Sequence, residues 1–161
     1  MANKRNYQKE LDAKIAGLHG EVPTLLLHSC CAPCSSYVLE YLSEYFEITV
    51  FYYNPNIYPE QEYSMRVCEQ QELIWKREWG HPISFIEGEY DTKRFYDMAR
   101  GMEQIPEGGE RCFSCYEMRL EECARLAAEE KYDYFTTTLS ISPMKNAQKL
   151  NEIGGRLAEQ Y

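Results

Sequence analysis

The sequence predicts an α/β fold with an open, mostly parallel sheet flanked by helices. Short apolar and β-branched runs alternate with longer segments of helical periodicity along the 161 residues, as in chains built from βαβ units. The apolar run at residues 25–27 ends abruptly in three closely spaced cysteines. A strand that leads through a tight turn into a helix is where open α/β sheets usually keep their chemistry.

We predict four strands, of which the second is β-branched and aromatic in composition. They are expected at residues 22–28, 47–53, 83–86 and 134–139. A continuous apolar strand followed by a helix and a second strand implies a parallel, right-handed connection.

Six helices are predicted between and around these strands. An amphipathic lead-in helix is expected at residues 4–18, where apolar side chains recur at helical spacing. Ser35 or Ser36 is expected to cap the next helix, which runs to about residue 45. The others are expected at residues 60–79, 91–100, 111–131 and 146–161. In the helix at 60–79 we place Met65, Leu73 and the tryptophans on the buried side.

Composition indicates one domain, at residues 1–161, with a sizeable core. A chain of this length buries roughly 70% of its unfolded surface. No apolar run approaches the roughly 20 residues that a membrane helix needs, and the polar N-terminus lacks the apolar centre of a signal peptide, so we expect a cytoplasmic protein. The net charge of −9 argues against a whole-surface electrostatic grip on nucleic acid, although not against a local basic groove.

The seven cysteines are the clearest chemical signal in the chain. In the cytoplasm they favour metal or redox chemistry over structural disulfides. Two Cys-x-x-Cys pairs, Cys31/Cys34 and Cys112/Cys115, lie about eighty residues apart, and each is expected at a helix start. There the helix dipole favours the thiolate, which is the form that binds metals.

Three chemistries fit these pairs: a structural zinc with four thiolates, an iron–sulfur cluster, or a thioredoxin-like dithiol. The additional Cys30 favours a site with a cluster and a second metal, because zinc ribbons and thioredoxins do not need adjacent cysteines. Cys68 and Cys123 fall in helical segments and are interpreted as packing residues. His28, at the predicted strand end, is equally compatible with a structural histidine and a ligand.

Other candidate site residues follow the predicted strands, and each has a structural alternative. Asp91 follows the third strand, where its carboxylate can reach the same sheet edge or simply cap a helix. The aromatic loop at residues 51–56 can stack a base, although half of it is expected in the core. The hydroxyls and lysine at residues 136–145 can bind phosphate or act as ordinary strand and capping groups.

Five motifs in order resemble the QueH family of epoxyqueuosine reductases, which complete the tRNA wobble-base modification queuosine. The resemblance covers residues 6–160 approximately, and the motifs that carry it are His28-Ser29-Cys30-Cys31-Ala32-Pro33-Cys34, Tyr53-Asn54-Pro55-Asn56-Ile57, Glu62-Tyr63, Gly109-Glu110-Arg111-Cys112-Phe113-Ser114-Cys115-Tyr116 with Arg119-Leu120, and Phe135-Thr136-Thr137-Thr138-Leu139 with Ser142-Pro143 and Lys145.

The resemblance implies a nucleotide α-hydrolase (HUP)-like fold, a [4Fe-4S] cluster and a neighbouring mononuclear iron. It also implies reductive loss of the epoxide oxygen from epoxyqueuosine in tRNA, with electrons from a donor that the sequence does not identify. Cys30, Cys31, Cys112 and Cys115 match the family's metal-binding cysteines, and Cys34 stands where other members can carry aspartate.

On this reading Asp91 is a candidate proton donor, and the expected substrate-binding residues are Tyr53, Asn54, Asn56, Thr137, Ser142 and Lys145. Family members usually continue to a further cysteine-containing segment, which is expected to be absent from this chain ending at Tyr161. A zinc-stabilised nucleotide- or RNA-binding module without redox activity is the alternative from a different functional class.

Overall fold

The computed structural model describes residues 6–141 and 146–161. Helices and strands alternate along the chain as α1 (Tyr7–Ala16), β1 (Thr24–His28), α2 (Ala32–Leu42), β2 (Glu47–Tyr52), α3 (Glu60–Lys76), β3 (Ile83–Glu87), α4 (Thr92–Ala99), α5 (Glu110–Glu129), β4 (Tyr134–Thr137) and α6 (Ala147–Gln160). A short 3₁₀ helix at Leu139–Ile141 follows β4. No helix within the described residues is long and apolar enough to cross a lipid bilayer.

The four strands form one parallel sheet in the order β3-β2-β1-β4. This confirms the predicted α/β class, and it is consistent with the nucleotide α-hydrolase-like architecture that the resemblance implies. The chain leaves β1 towards β2 and later returns to the other side of β1 with β4. The order of the strands therefore reverses beside the carboxyl end of β1, where open α/β sheets form a crevice.

Alternation along β1 divides the core between the two faces of the sheet. Leu25 and Leu27 point to one face, where they pack with residues of α1, α2 and α3. Leu26 points to the other face and meets Cys123 and Ala127 of α5. α6 covers α5 through a second apolar cluster that also includes Cys30. Both faces of β1 are thus covered, as its continuous apolar sequence predicts.

The start of α2 differs from the prediction. The helix begins at Ala32, with Cys31 in extended backbone at the N-cap and a proline in the first turn. Ser35 and Ser36 are not caps, because their hydroxyls donate to the carbonyls of Ala32 and Pro33 from inside the helix. Proline at a helix start is favourable, because an N–H at that position would have no partner within the helix. The cysteine motif itself therefore forms the first turn of α2.

Two predictions about the buried face of α3 are wrong. Met65 and Trp75 are 50% and 72% exposed, whereas Tyr63, Val67, Gln70 and Ile74 form the buried stripe. Of the predicted set, Leu73 and Trp79 do pack against the core. Cys68, interpreted as a packing residue, is exposed, because it follows Val67 on the helix and so faces away from the stripe.

Candidate metal centre

The turn after β1 brings three cysteine sulfurs together. The Sγ atoms of Cys30, Cys31 and Cys34 all lie within 4.8 Å of one another, and the first two are 3.9 Å apart. Two thiolates bound at about 2.3 Å to one tetrahedral metal are about 3.8 Å apart. The three side chains are therefore placed to bind a single metal ion or one corner of a cluster.

The position of Cys31 favours the thiolate that such binding requires. A hydrogen bond from the Cys30 thiol lowers the pKa of the Cys31 thiol and outweighs the opposing effect of partial burial. Cys31 also lies at the N-cap of α2, where the positive end of the helix dipole stabilises negative charge.

A buried hydrogen-bond network fixes the cysteine turn from α3. Ser29 Oγ donates to Gln70 Oε1 at 2.7 Å, and Gln70 Nε2 donates to Ser35 Oγ at 3.0 Å. All three side chains are fully buried. The residues on either side of the three cysteines are thus held by one amide group, and metal binding does not need to order them.

Gln70 was missed by sequence reasoning, although a signal was available. It lies three residues after Val67 and four before Ile74, on the apolar stripe of the helix. A polar residue at such a position must find hydrogen-bond partners within the core, because leaving it unpaired is costly.

The carbonyl groups of the turn are held from β2 and α5. Asn54 Nδ2 donates to the Ser29 carbonyl at 2.8 Å, and the Tyr52 hydroxyl donates to the Cys30 carbonyl at 3.3 Å. Arg119 Nη1 in turn donates to Asn54 Oδ1 at 3.2 Å. This chain of contacts connects the turn after β1 to the helix that carries the second cysteine pair.

Cys112 and Cys115 lie in the first two turns of α5, as predicted. Cys112, like Cys31, packs against the apolar cluster that contains Cys30, and its sulfur accepts the Gly108 N–H at 3.3 Å. Such N–H donors to sulfur tune metal thiolates. Cys112 thus reaches the core cluster next to the cysteine turn, although neither residue of the pair belongs to the group of three sulfurs described above. A shared site for all five cysteines stays a prediction.

A cleft of about 200 Å³ opens beside this second pair. Its lining combines the two cysteines with residues from the loop after β2, from α4 and from α5. The lining residues are Asn56, Phe95, Glu107, Arg111, Cys112, Cys115, Tyr116 and Arg119.

His28 is a structural histidine in this arrangement. Its Nε2 lies 2.9 Å from the Tyr53 carbonyl and must donate to it, while Nδ1 accepts from the Thr137 hydroxyl at 3.0 Å. Burial, reinforced by the nearby Arg119 charge, lowers the pKa of His28 to about 3. The ring is therefore neutral at physiological pH, and both nitrogens already have partners.

Three of the predicted substrate-binding residues have structural contacts. Tyr53 is 2% exposed, stacks on Phe51 and accepts a hydrogen bond from Arg94. Asn54 is fully buried in the contacts given above, and the Thr137 hydroxyl joins His28 to the Leu139 N–H. Their side chains therefore make hydrogen bonds or packing contacts within the protein at this edge of the sheet.

The other predicted site residues do not form one group with these three. Asn56 lines the cleft. Asp91 caps α4 by accepting the Arg94 N–H at 3.2 Å, which is the structural alternative given for it. It follows β3, two strand spacings or about 10 Å across the sheet from β1. Ser142 and Lys145 lie outside the described residues.

Cys123 behaves as predicted for a packing residue. It is fully buried on the inner face of α5, and burial raises the pKa of its thiol. A thiol held protonated in this way is a poor metal ligand.

Comparison with known proteins identifies the family. Residues 25–161 match the family described as epoxyqueuosine reductase QueH. The chain belongs to the QueH family. The proteins of this name from Staphylococcus epidermidis and Streptococcus pyogenes are 45% and 39% identical to it, over 94% and 98% of the chain. Those alignments cover 66% and 64% of the two relatives, so the chain spans about two thirds of the length of these QueH proteins.

Proposed function

We propose that this chain takes part in the reduction of epoxyqueuosine to queuosine at the wobble position of tRNA. The observation that carries the proposal is the convergence of three cysteine sulfurs within 4.8 Å at the carboxyl end of β1. Membership of a family named for this reaction supports it. The three thiols lie where the strand order reverses, and open parallel sheets usually bind ligands at this position.

We further propose that a [4Fe-4S] cluster and a single iron are held by Cys30, Cys31, Cys34, Cys112 and Cys115. Thiolates are the usual ligands of iron–sulfur clusters, and a site that uses all five cysteines would exceed the four ligands that a structural zinc needs. When bound, the metals would supply single electrons and a Lewis acid for the epoxide oxygen.

The reaction also requires protons and a source of electrons. Removing the epoxide oxygen consumes two electrons and two protons and yields an alkene and water, with the electrons coming from an external reductant. Asp91 or a tyrosine delivers a proton to the departing oxygen. Of the tyrosines, Tyr116 lies in the cleft beside Cys112 and Cys115.

The substrate is a tRNA whose target base lies in the anticodon loop. Unpaired loop bases can be turned out and recognised by pockets and stacking. Ser142 and Lys145, after β4, are proposed to contact the RNA, with Lys145 reaching a phosphate. Since tRNA modified in this way acts in translation, we place the protein in the cytoplasm.

Metal analysis of anaerobically purified protein tests this proposal. We expect brown protein that contains iron and acid-labile sulfide, and Cys31→Ala should lose most of the iron. Cys68→Ala is the matched control, because it removes an exposed thiol that does not belong to the group of three sulfurs. Colourless protein that holds zinc would instead support a metal-stabilised binding module and would refute the reductase proposal.

A further inference from the structure

The cleft beside the second cysteine pair contains two buried polar atoms that lack partners. Arg119 Nε and Asn56 Oδ1 are shielded from water, and neither has a hydrogen-bond partner within the described parts of the chain. Both residues line the 200 Å³ cleft. An unpaired buried polar group costs about 1–3 kcal/mol, and a charged one more, so two of them at one cleft point to a missing ligand.

The two atoms define the chemistry of that ligand. Arg119 Nε offers an N–H and needs an acceptor, whereas Asn56 Oδ1 needs a donor. A phosphate or carboxylate satisfies only the arginine, and it would lie against the amide oxygen and Glu107 of the same cleft. A metal ion satisfies only the amide oxygen. A neutral ligand with one hydroxyl group and a second hydroxyl or ether oxygen satisfies both, because the hydroxyl donates to the amide oxygen and the second oxygen accepts from the arginine.

The position of Arg119 is fixed before any ligand arrives. The residue is 4% exposed, and its Nη1 is already engaged by Asn54, so Nε is held in place by a buried contact. Two aromatic residues, Phe95 and Tyr116, contribute to the lining. Fixed polar groups with aromatic walls are typical of small-molecule sites.

The size of the cleft limits the ligand further. Its volume of about 200 Å³ is below the roughly 300–1,000 Å³ of pockets for drug-sized ligands. We therefore expect the cleft to take one small ring with its oxygen substituents and not a complete nucleotide.

We propose that this cleft binds a small oxygenated ring, with a ligand hydroxyl donating to Asn56 Oδ1 and a ligand oxygen accepting from Arg119 Nε. The identity of the ring rests on the proposed function: it is the hydroxylated, epoxide-bearing ring of the modified base. In this position the ring lies beside Cys112 and Cys115, while the rest of the tRNA stays outside the cleft.

Equilibrium binding of two RNA hairpins tests the inference. One hairpin carries the epoxide-bearing base in its anticodon loop, and the other carries the unmodified base at the same place. The anaerobically purified protein should prefer the first. Asn56→Leu and Arg119→Lys should each reduce this preference about tenfold, the effect of one hydrogen bond lost, without changing affinity for the unmodified hairpin.

Asn151→Leu is the matched control, because this asparagine lies on α6 and donates within its own helix. Its hairpin preference should equal that of the wild type. Iron content and reduction by the wild type are measured in the same preparations. If Arg119→Lys proves unfolded, Asn56→Leu alone decides the outcome, since Asn56 Oδ1 makes no hydrogen bond with residues 6–141 or 146–161.

Four results would overturn the inference. An unchanged preference in Asn56→Leu, in protein that still reduces the epoxide, leaves the proposed function standing and removes only the ring site. Equal weakening for both hairpins shows that the cleft binds ordinary RNA. A fall in iron with unchanged preference in Arg119→Lys assigns the arginine to the metal centre. If the wild type neither reduces nor prefers the modified hairpin, the proposed function fails as well.

Discussion

Single polar side chains in the core decide whether the cysteine turn has a fixed shape. Gln70 contributes nothing to the apolar core, yet its amide joins Ser29 and Ser35 on either side of the cysteines. Within a low-dielectric interior such a network is strong when complete and costly when one member is lost. The residue is therefore more important for the site than its sequence context suggests.

We expect Gln70→Leu to lower the free energy of unfolding of the metal-free protein by about 2 kcal/mol, because two buried hydroxyls lose a partner. Urea unfolding followed by circular dichroism measures this change. Gln71→Leu is the control, since the half-buried neighbour lies off the buried stripe. Equal destabilisation by both variants would show that the amide network is not important for stability.

The two cysteines outside the proposed site should differ in reactivity. Cys68 is exposed and Cys123 is buried, so a maleimide should label the first in the native protein and the second only after unfolding. Cys68→Ala and Cys123→Ala should both keep the iron content of the wild type, while Cys123→Ala loses about 1 kcal/mol of stability through its cavity. Loss of iron in either folded variant would mean that the ligands were assigned wrongly. Mass spectrometry of labelled protein and metal analysis measure these outcomes.

The helix starts are the elements that build the site. α2 begins at the cysteine motif and α5 begins two residues before Cys112. The second start depends on a backbone detail: Gly108 adopts φ +89°, and in that conformation its N–H reaches the Cys112 sulfur. A left-handed residue therefore orients one donor towards one predicted metal ligand.

Gly108→Ala should reduce the affinity of the site for metal about tenfold, as loss of an outer contact to a ligand usually does. Gly101→Ala is a closely matched control: Gly101 has φ +85°, and both glycines have open space where a Cβ would lie. Both variants should lose about 1–2 kcal/mol of stability from backbone strain. Metal titration with a chelator as competitor measures the metal affinity of each variant. Equal affinities in Gly108→Ala and Gly101→Ala would contradict a role for the Gly108 donor.

The sequence was sufficient to predict the element order and the placement of both cysteine pairs at helix starts. Those features depend on local patterns, since apolar runs and turn residues act within a few positions. The start of α2 was misplaced because serine is a good cap in isolation, whereas here proline in the first turn moves the start upstream. The roles of Gln70 and Arg119 were not predictable, because their partners come from residues 35 to 65 positions away.

At the scale of the whole molecule, the sheet order places the cysteine turn at one edge, and we expect most contacts with RNA on other surfaces. The cysteine turn lies at the strand-order reversal beside β1, and the net charge of −9 requires that any contact with phosphates be local. Metal binding and RNA binding should therefore be separable by mutation.

Cys112→Ala and Cys115→Ala should abolish epoxide reduction and leave tRNA affinity nearly unchanged. Lys145→Ala, a prediction from sequence for a residue outside the described parts, should weaken binding and lower the salt slope by about one while keeping the metal. The measurements are tRNA binding across a salt series and single-turnover reduction for each variant. Weakened binding in folded cysteine variants would show that the metal centre shapes the RNA site.

The two cysteine groups belong to parts of the chain that should open at different rates. The turn after β1 continues an interior strand and is held by buried side chains from β2 and α3. Cys112 lies in the first turn of α5, and helix ends fray long before a central strand exchanges its amide hydrogens. A centre that spans both groups would therefore come apart in a fixed order: the α5 thiolates detach first, and the β1 thiolates keep the last metal until the whole domain unfolds.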